Sequence, residues 1–352
     1  MAINLHDKYA KKIATAFVRE SLIDGKLNNE YSFSGVKTVK ISTPITVPLG
    51  DYKRTGSNRY GEPEEIQDIV QELTMTQDKS FTATVDKGNN MDQNGIKAAG
   101  KMLALELKER VVPEKDKYTF ARLAQLAGRV VGNSTKLAKN TVIERISLGT
   151  LQMDDDEVPA EGRTLYVSNS TYLYLKHSEE FLGVDKLGEK ALAKGQVGEY
   201  DNMKVVKVPK NRWPANVNFM IVYKNAATAP SKISETKLHQ DPPGLSGNLL
   251  EGRFYYDVFV IGARANGIYV EVDTSSGAGT VLAAPTINAA TGAITVASGA
   301  SCKFTTDGSD PRYSNSAQVG TAAGTGTGKV VKAYAYKDDS YPSPVAEAVL
   351  TA

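Results

Sequence analysis

The side chains best suited to chemistry are few and scattered. Three histidines, His6, His177 and His239, stand far apart, and none shares with a cysteine or an acid the short spacing a zinc site needs. The acidic run Asp154–Glu157 offers the hard oxygens that divalent cations take. It lacks the interleaved glycine and distal glutamate of a calcium loop, so it reads as a solvated loop. Gly324–Lys329, GTGTGK, has the outline of a phosphate cradle. That cradle needs a glycine where Ala323 stands and a hydroxyl residue where Val330 stands. It must also open a helix, whereas this stretch leads into strand-forming sequence and reads as a hairpin loop. Thr305–Pro311 sets Asp307 and Asp310 around a glycine, a pattern that forms turns as readily as it holds cations. Asn133-Ser134-Thr135 and Asn169-Ser170-Thr171 match glycosylation acceptors, which count only in a secreted chain. No Gly-x-Ser-x-Gly elbow occurs. With no catalytic, cofactor or metal constellation, the chain is expected to work through its surfaces and not as an enzyme.

Composition agrees with that reading. The 352 residues suffice for two domains, and 42 basic residues against 40 acidic ones leave a formal charge of +2. Such a balance does not indicate a nucleic-acid-binding protein. A single cysteine, Cys302, excludes an intrachain disulfide. The opening MAINLHDKYAKKIATAF lacks the apolar centre of a signal peptide. No run approaches the roughly 18 apolar residues of a membrane span. The chain is expected to be made in the cytoplasm and to have no membrane partner.

The elements that must position these surfaces are organised around Gly95–Leu126. Ile96, Ala99, Leu103, Leu107 and Val111 fall on one helix face, with Lys97, Lys101, Glu106, Lys108, Glu109 and Arg110 between them. This predicts an amphipathic helix roughly 25 Å long before Pro113. Pro113 has no amide hydrogen and should kink or restart it, after which Tyr118, Leu123 and Leu126 carry a second stripe. The helix reads as a spine. Upstream, Leu5–Asp24 aligns Leu5, Tyr9, Ile13 and Phe17, which predicts a terminal helix ended by Gly25. Val36–Val47 reads as strand and Gly50–Glu65 as an exposed polar loop. Leu73, Met75, Phe81, Ala83 and Val85 alternate with hydroxyl residues on both sides of Gln77–Lys79, which predicts a β-hairpin. A two-stranded ribbon is marginal in water, so it should lie against another surface. Strand, loop and hairpin thus form an excursion that returns into the spine.

Beyond the spine, Asn133-Ser134-Thr135 should cap a helix with the stripe Ala138, Val142, Ile146. Arg163–Ser168 reads as a buried strand, and Ser170 as the cap of a short helix through Leu175. Val197–Tyr200 and Met203–Val208 flank the turn Asp201-Asn202, and Asn218–Lys224 is a further strand. Arg253–Val272 reads as two long strands joined at Asn266-Gly267. At Asp273 the composition shifts to Ala, Gly, Ser and Thr. Thr274–Thr280 reads as a linker, and short strands at Thr286–Ile287, Ala293–Val296, Cys302–Thr306, Val330–Tyr336 and Ala346–Leu350 predict a small β-sandwich.

Three segments in this order carry a family resemblance. They are Lys101–Ala124, where Val111-Val112-Pro113-Glu114 precedes Asp116-x-Tyr118-x-Phe120, then Val158–Lys176 and Arg253–Val270. Over residues 1–272 the chain resembles the major capsid proteins of tailed bacteriophages, the Hong Kong 97 fold. The resemblance implies an α+β capsid core with an N-arm at 1–34 and an extended loop at 35–90. It implies a spine helix and peripheral domain at 91–132, and an axial domain with closing strands at 133–272. After a linker at 273–284, residues 285–352 resemble, through Cys302–Ser314, the immunoglobulin-like domains at the C-termini of chitobiase-type proteins. The implied function is a structural shell protein whose hexamers and pentamers build an icosahedral head around double-stranded DNA, in a virion assembled in the host bacterial cytoplasm. Its implied partners are further copies of itself, a separate scaffolding protein and a portal. Tyr9, Ile13, Phe17, Tyr52, Arg54, Arg59, Leu73, Met75 and Phe81 would contact neighbouring subunits. A displayed tail would meet surface carbohydrate through Tyr313, Tyr334 and Tyr336. Lys53 lies where some relatives form a crosslink, but no motif assigns it one. The competing readings are an encapsulin-like cargo shell and a carbohydrate-binding surface protein.

Overall fold

The structure, a computed structural model, describes residues 20–31, 33, 37–44, 51–60, 65–66, 68–92, 97–178, 196–275, 277 and 280–351. Tyr9, Ile13 and Phe17, with most of the expected terminal helix, lie outside the described residues. Its last expected turn, residues 20–24, is bent and non-helical, and buries Leu22 and Ile23 in the main core.

Three strands precede the spine: β1 (Thr38–Pro44), β2 (Asp68–Thr74) and β3 (Gln77–Asp86). Five more follow it: β4 (Arg129–Asn133), β5 (Arg163–Ser168), β6 (Gln196–Tyr200), β7 (Met203–Val208) and β8 (Val217–Tyr223). The body closes with β9 (Ala227–Thr228), β10 (Ser231–Gln240), β11 (Gly247–Tyr256), β12 (Phe259–Val260) and β13 (Ile268–Asp273).

A six-stranded mixed sheet in the order β4-β13-β8-β5-β7-β6 forms the centre. Successive side chains of a strand point to opposite faces. Tyr166, Met220, Val222, Ile268 and Val270 therefore face the spine helix with Phe120 and Leu123. Leu165, Val167, Phe219, Ile221 and Tyr269 face the Val142–Asp155 and Asn169–Lys176 helices through Ile146, Met153 and Leu175. Both faces are covered, so β5 and β13 are buried along nearly their whole length. The hairpin at Asp201-Asn202 is present, with φ of +47° and +57°, and Tyr200 pairs with Met203.

The spine is one continuous helical rod with a defect where Pro113 was expected to act. Ala99–Glu106 is α-helical, Leu107–Val111 makes a π-helical turn, and Val112–Gln125 is α-helical again. The Val112 amide reaches back five residues to the Leu107 carbonyl, and Pro113, which has no amide hydrogen to give, opens the next segment.

Several local expectations give way to long-range pairing. Leu73–Val85 is not a hairpin: β2 pairs antiparallel with β1, while β3 joins β11 in the sheet β10-β11-β3. Between β2 and β3 the amide and hydroxyl of Thr76 both donate to the buried Asp257 carboxylate, at 2.7 and 2.9 Å, so the link is held by the body. Nor do β11 and β13 pair across Asn266-Gly267. Residues Gly262–Gly267 form a 3-10 helix, and β13 lies between β4 and β8. Asn133-Ser134-Thr135 makes a local turn after β4, and the next helix starts at Val142. The short helix is capped by Ser168, whose hydroxyl accepts from the Thr171 amide, and not by Ser170.

The C-terminal module has β14 (Thr286–Ile287) paired with β15 (Ile294–Thr295). It also has a four-stranded sheet, β17-β16-β18-β19, built from β16 (Ser301–Thr305), β17 (Gln318–Val319), β18 (Val330–Tyr336) and β19 (Ala346–Val349). Ile294, Cys302, Phe304, Val331, Ala333 and Leu350 form its own core. Gly324–Lys329 connects β17 to β18 across the intervening β16, so it is a crossover loop and not a hairpin turn.

Candidate functional site

The residues that sequence singled out fall into three sets. On the excursion, Leu73 and Met75 are buried with Phe33, Ile41 and Phe259, where the two rings stack at 5.6 Å. They hold the base of the ribbon inside their own subunit and are not exposed for a neighbour. The reason is the packing under the ribbon: Gln71 gives its side-chain amide to the Val260 carbonyl and accepts from the Gly262 amide, at 2.8 and 2.9 Å. Phe81 is half-buried and stacks on Phe254. Tyr52, Arg54 and Arg59 are exposed on the loop, where Tyr52 meets Tyr60 edge-on at 5.0 Å and the Lys53 amide donates to the Arg59 carbonyl. Tyr60 is 93% exposed and Ile66 63%.

Two buried carboxylates, neither evident in the sequence, fix where the outlying segments leave the body. Asp116 on the spine is fully buried and pairs with Arg212 at 2.8 Å. It also accepts from the Ser21 hydroxyl and the Leu22 amide, at 2.7 and 3.0 Å, so it anchors the exit of the N-terminal segment. Asp257 receives the Tyr118 hydroxyl at 2.7 Å beside its bonds from Thr76. Burial, with this carboxylate next, raises the Tyr118 pKa. One acid thereby ties the root of β3 to the spine.

The tail is latched, not merely tethered. Arg312 donates to the carbonyls of Ala127 and Gly128 at 3.0 Å each, held from behind by Asp310 at 2.7 Å. The Tyr313 hydroxyl donates to the Leu126 carbonyl at 2.5 Å. These carbonyls belong to the three residues that follow the last helical residue, Gln125, so the module holds the chain where it leaves the spine for β4. The Asn315 amide reaches the Val70 carbonyl of β2, and the Tyr341 hydroxyl reaches the Ala215 carbonyl at 2.6 Å. Tyr313 is only 8% exposed, in the main core, and burial pushes its pKa up, so it offers no face to a sugar. Tyr334 and Tyr336 remain half-buried, 5.7 Å apart, and burial pushes Tyr334 up to about 12.

The other chemical candidates are used structurally. Asp154 pairs with Arg163 and Asp156 with Arg129. Asp307 accepts from the Ser309 amide and from both the Ser309 and Ser316 hydroxyls; these bonds outweigh burial and lower its pKa. Among the described residues no cluster of metal ligands occurs, and no helix is long and apolar enough to cross a membrane.

A mixed central sheet, a long helical spine and a two-stranded ribbon make up a fold similar to that of solved phage capsid proteins. Solved structures bear this out. A chain of Mycobacterium phage Che8 superposes with a TM-score of 0.63 at 18% identity, over 77% of this chain and 98% of that one. The mature capsid of bacteriophage PhiM1 gives 0.58 at 12%, over 78% and 92%. The capsid of cyanophage P-SCSP1u gives 0.58 at 11%, over 77% and 93%. No protein-family model and no curated protein matches the sequence.

Proposed function

We propose that the chain is the major structural subunit of a phage head, forming hexamers and pentamers of an icosahedral shell around double-stranded DNA. The observation that carries this is the fold together with what it leaves uncovered. The loop presents Tyr52, Tyr60 and Ile66 to solvent, and among the described residues of the spine none from Ala99 to Val111 is buried. In a shell these faces meet other copies, and subunit folding is linked to assembly. Residues 1–34 serve as the N-arm, 35–90 as the extended loop and 91–132 as the peripheral spine. Residues 133–272 supply the axial domain and closing strands, and 285–352 stand outside after the connection at 273–284. The near-neutral charge fits an inner wall that releases its DNA. A separate scaffolding protein and a portal complete the assembly. Adhesion of the tail to surface carbohydrate now rests on Tyr334 and Tyr336, without Tyr313.

Electron microscopy of the purified chain, alone and with its scaffold, tests the reading. Shells or rings of capsomers are expected; monomers or dimers under every condition overturn it. Deleting residues 50–65 should leave a folded subunit that assembles poorly, and normal closed shells from the deletion would remove the loop from the interface.

A further inference from the structure

Between the second half of the spine and the module lies a cleft of about 980 Å³. Its walls carry Trp213, Tyr334, Tyr336 and Tyr341. Four cations line it, Lys117, Arg122, Lys303 and Lys337, against the two carboxylates of Asp338 and Asp339. Among the described residues none of the four makes an ion pair within the subunit. Lys303 lies 5.9 Å from the Tyr336 ring, and the Arg122 Nε is buried without a hydrogen-bond partner. An aromatic cleft with surplus, unpaired cations suits an acidic strand that also has apolar groups.

We infer that the cleft receives the acidic stretch Glu62-Pro63-Glu64-Glu65-Ile66 from the extended loop of a second copy. This rests on the shell reading above and names where that loop docks. The charges are complementary: three glutamates in four residues meet the four cations. Glu65 and Ile66 are exposed in their own subunit, and Pro63 and Ile66 supply the apolar groups that aromatic walls accept. The wall of the cleft is shared by spine and module, so the loop would lock the latch of one subunit as it joins another. It would also cover the tyrosines that the carbohydrate reading needs.

The test reverses both sides. Lys303→Glu with Lys337→Glu, and separately Glu62→Lys with Glu64→Lys and Glu65→Lys, should each lower capsomer yield at least about tenfold, with circular dichroism unchanged. All five changes in one chain should restore assembly, and so should mixing the two defective chains. Restoration in the single chain but not in the mixture would mean that the loop closes on its own subunit, overturning the inference. No loss from either reversal overturns it as well. Independently of assembly, a labelled peptide of residues 60–68 should bind the full-length chain and lose at least about tenfold in affinity with the lysine reversals. Peptide binding without any capsomers would keep the site and sink the shell reading. Binding of an anionic glycan and not of the peptide would overturn the inference in favour of sugar.

Discussion

The two halves of the spine have similar apolar spacing and opposite fates. Val112–Gln125 buries Asp116, Thr119, Phe120, Leu123 and Ala124 under the central sheet, while Ala99–Val111 buries nothing completely. The π-helical turn divides them. It shifts the phase of the side chains between a half that is buried in the fold and a half whose residues are exposed or half-buried. Periodicity alone states that a stripe will be covered; it does not state by whom.

Substitutions that strike one half at a time would sharpen or break that contrast. Phe120→Ala should cost about 3–5 kcal/mol, read as a fall in thermal midpoint, because the ring is fully buried against Tyr166 and Trp213. Asp116→Asn should cost about 3 kcal/mol by removing the buried carboxylate charge that faces Arg212. It should also open residues 20–27 to limited proteolysis, and unchanged cleavage would detach the N-terminal segment from this anchor. Leu103→Ala, on the half-buried stripe, should cost under about 1 kcal/mol yet lower capsomer yield in sedimentation. An equal loss of stability from Leu103→Ala and Phe120→Ala would erase the distinction between the halves. The smallest effect is at the latch in alkali. Burial raises Tyr334 and Tyr341 from 10.0 to about 12. Their contribution is full below pH 10 and is lost as pH rises through 12. Tyrosinate absorbance should therefore rise together with protease sensitivity at the 273–284 connection.

Much of the fold was legible where apolar content is local. Arg163–Ser168, the turn at Asp201-Asn202 and the Val330–Tyr336 strand were all readable, because β-branched runs and paired turn residues act over a few positions. The alternation from Leu73 to Val85 was equally clear, but it spans two strands whose partners are β1 and β11. Alternation says which residues share a face and is silent on which strand lies alongside. Strand β10, SKISETKLHQ, escaped notice because it is largely exposed and its polarity resembles a loop. Asn266-Gly267 misled because the same dipeptide ends a 3-10 helix where Gly267 lets Ala226 approach; a Cβ there would lie 2.9 Å from that methyl. At the candidate sites, Tyr52, Arg54 and Arg59 were read as exposed and are. The roles of Asp116 and Asp257 were hidden, since each gathers groups from segments nearly a hundred residues or more away.

The hydrogen bonds by which Arg312 and Tyr313 hold the exit of the spine all go to backbone carbonyl oxygens. Such bonds do not read side chains, but the Tyr313 ring does: it packs in the main core with the fully buried Ala127, and Leu126 lies against the same cluster. Two glycines constrain the seat: a Cβ on Gly128 would stand 2.4 Å from the Ala265 carbonyl, and one on Gly262 2.8 Å from the Tyr313 Cβ. A module seated this way is not a detachable appendage: whatever stood in its place would have to refill the part of the body's core that Tyr313 occupies.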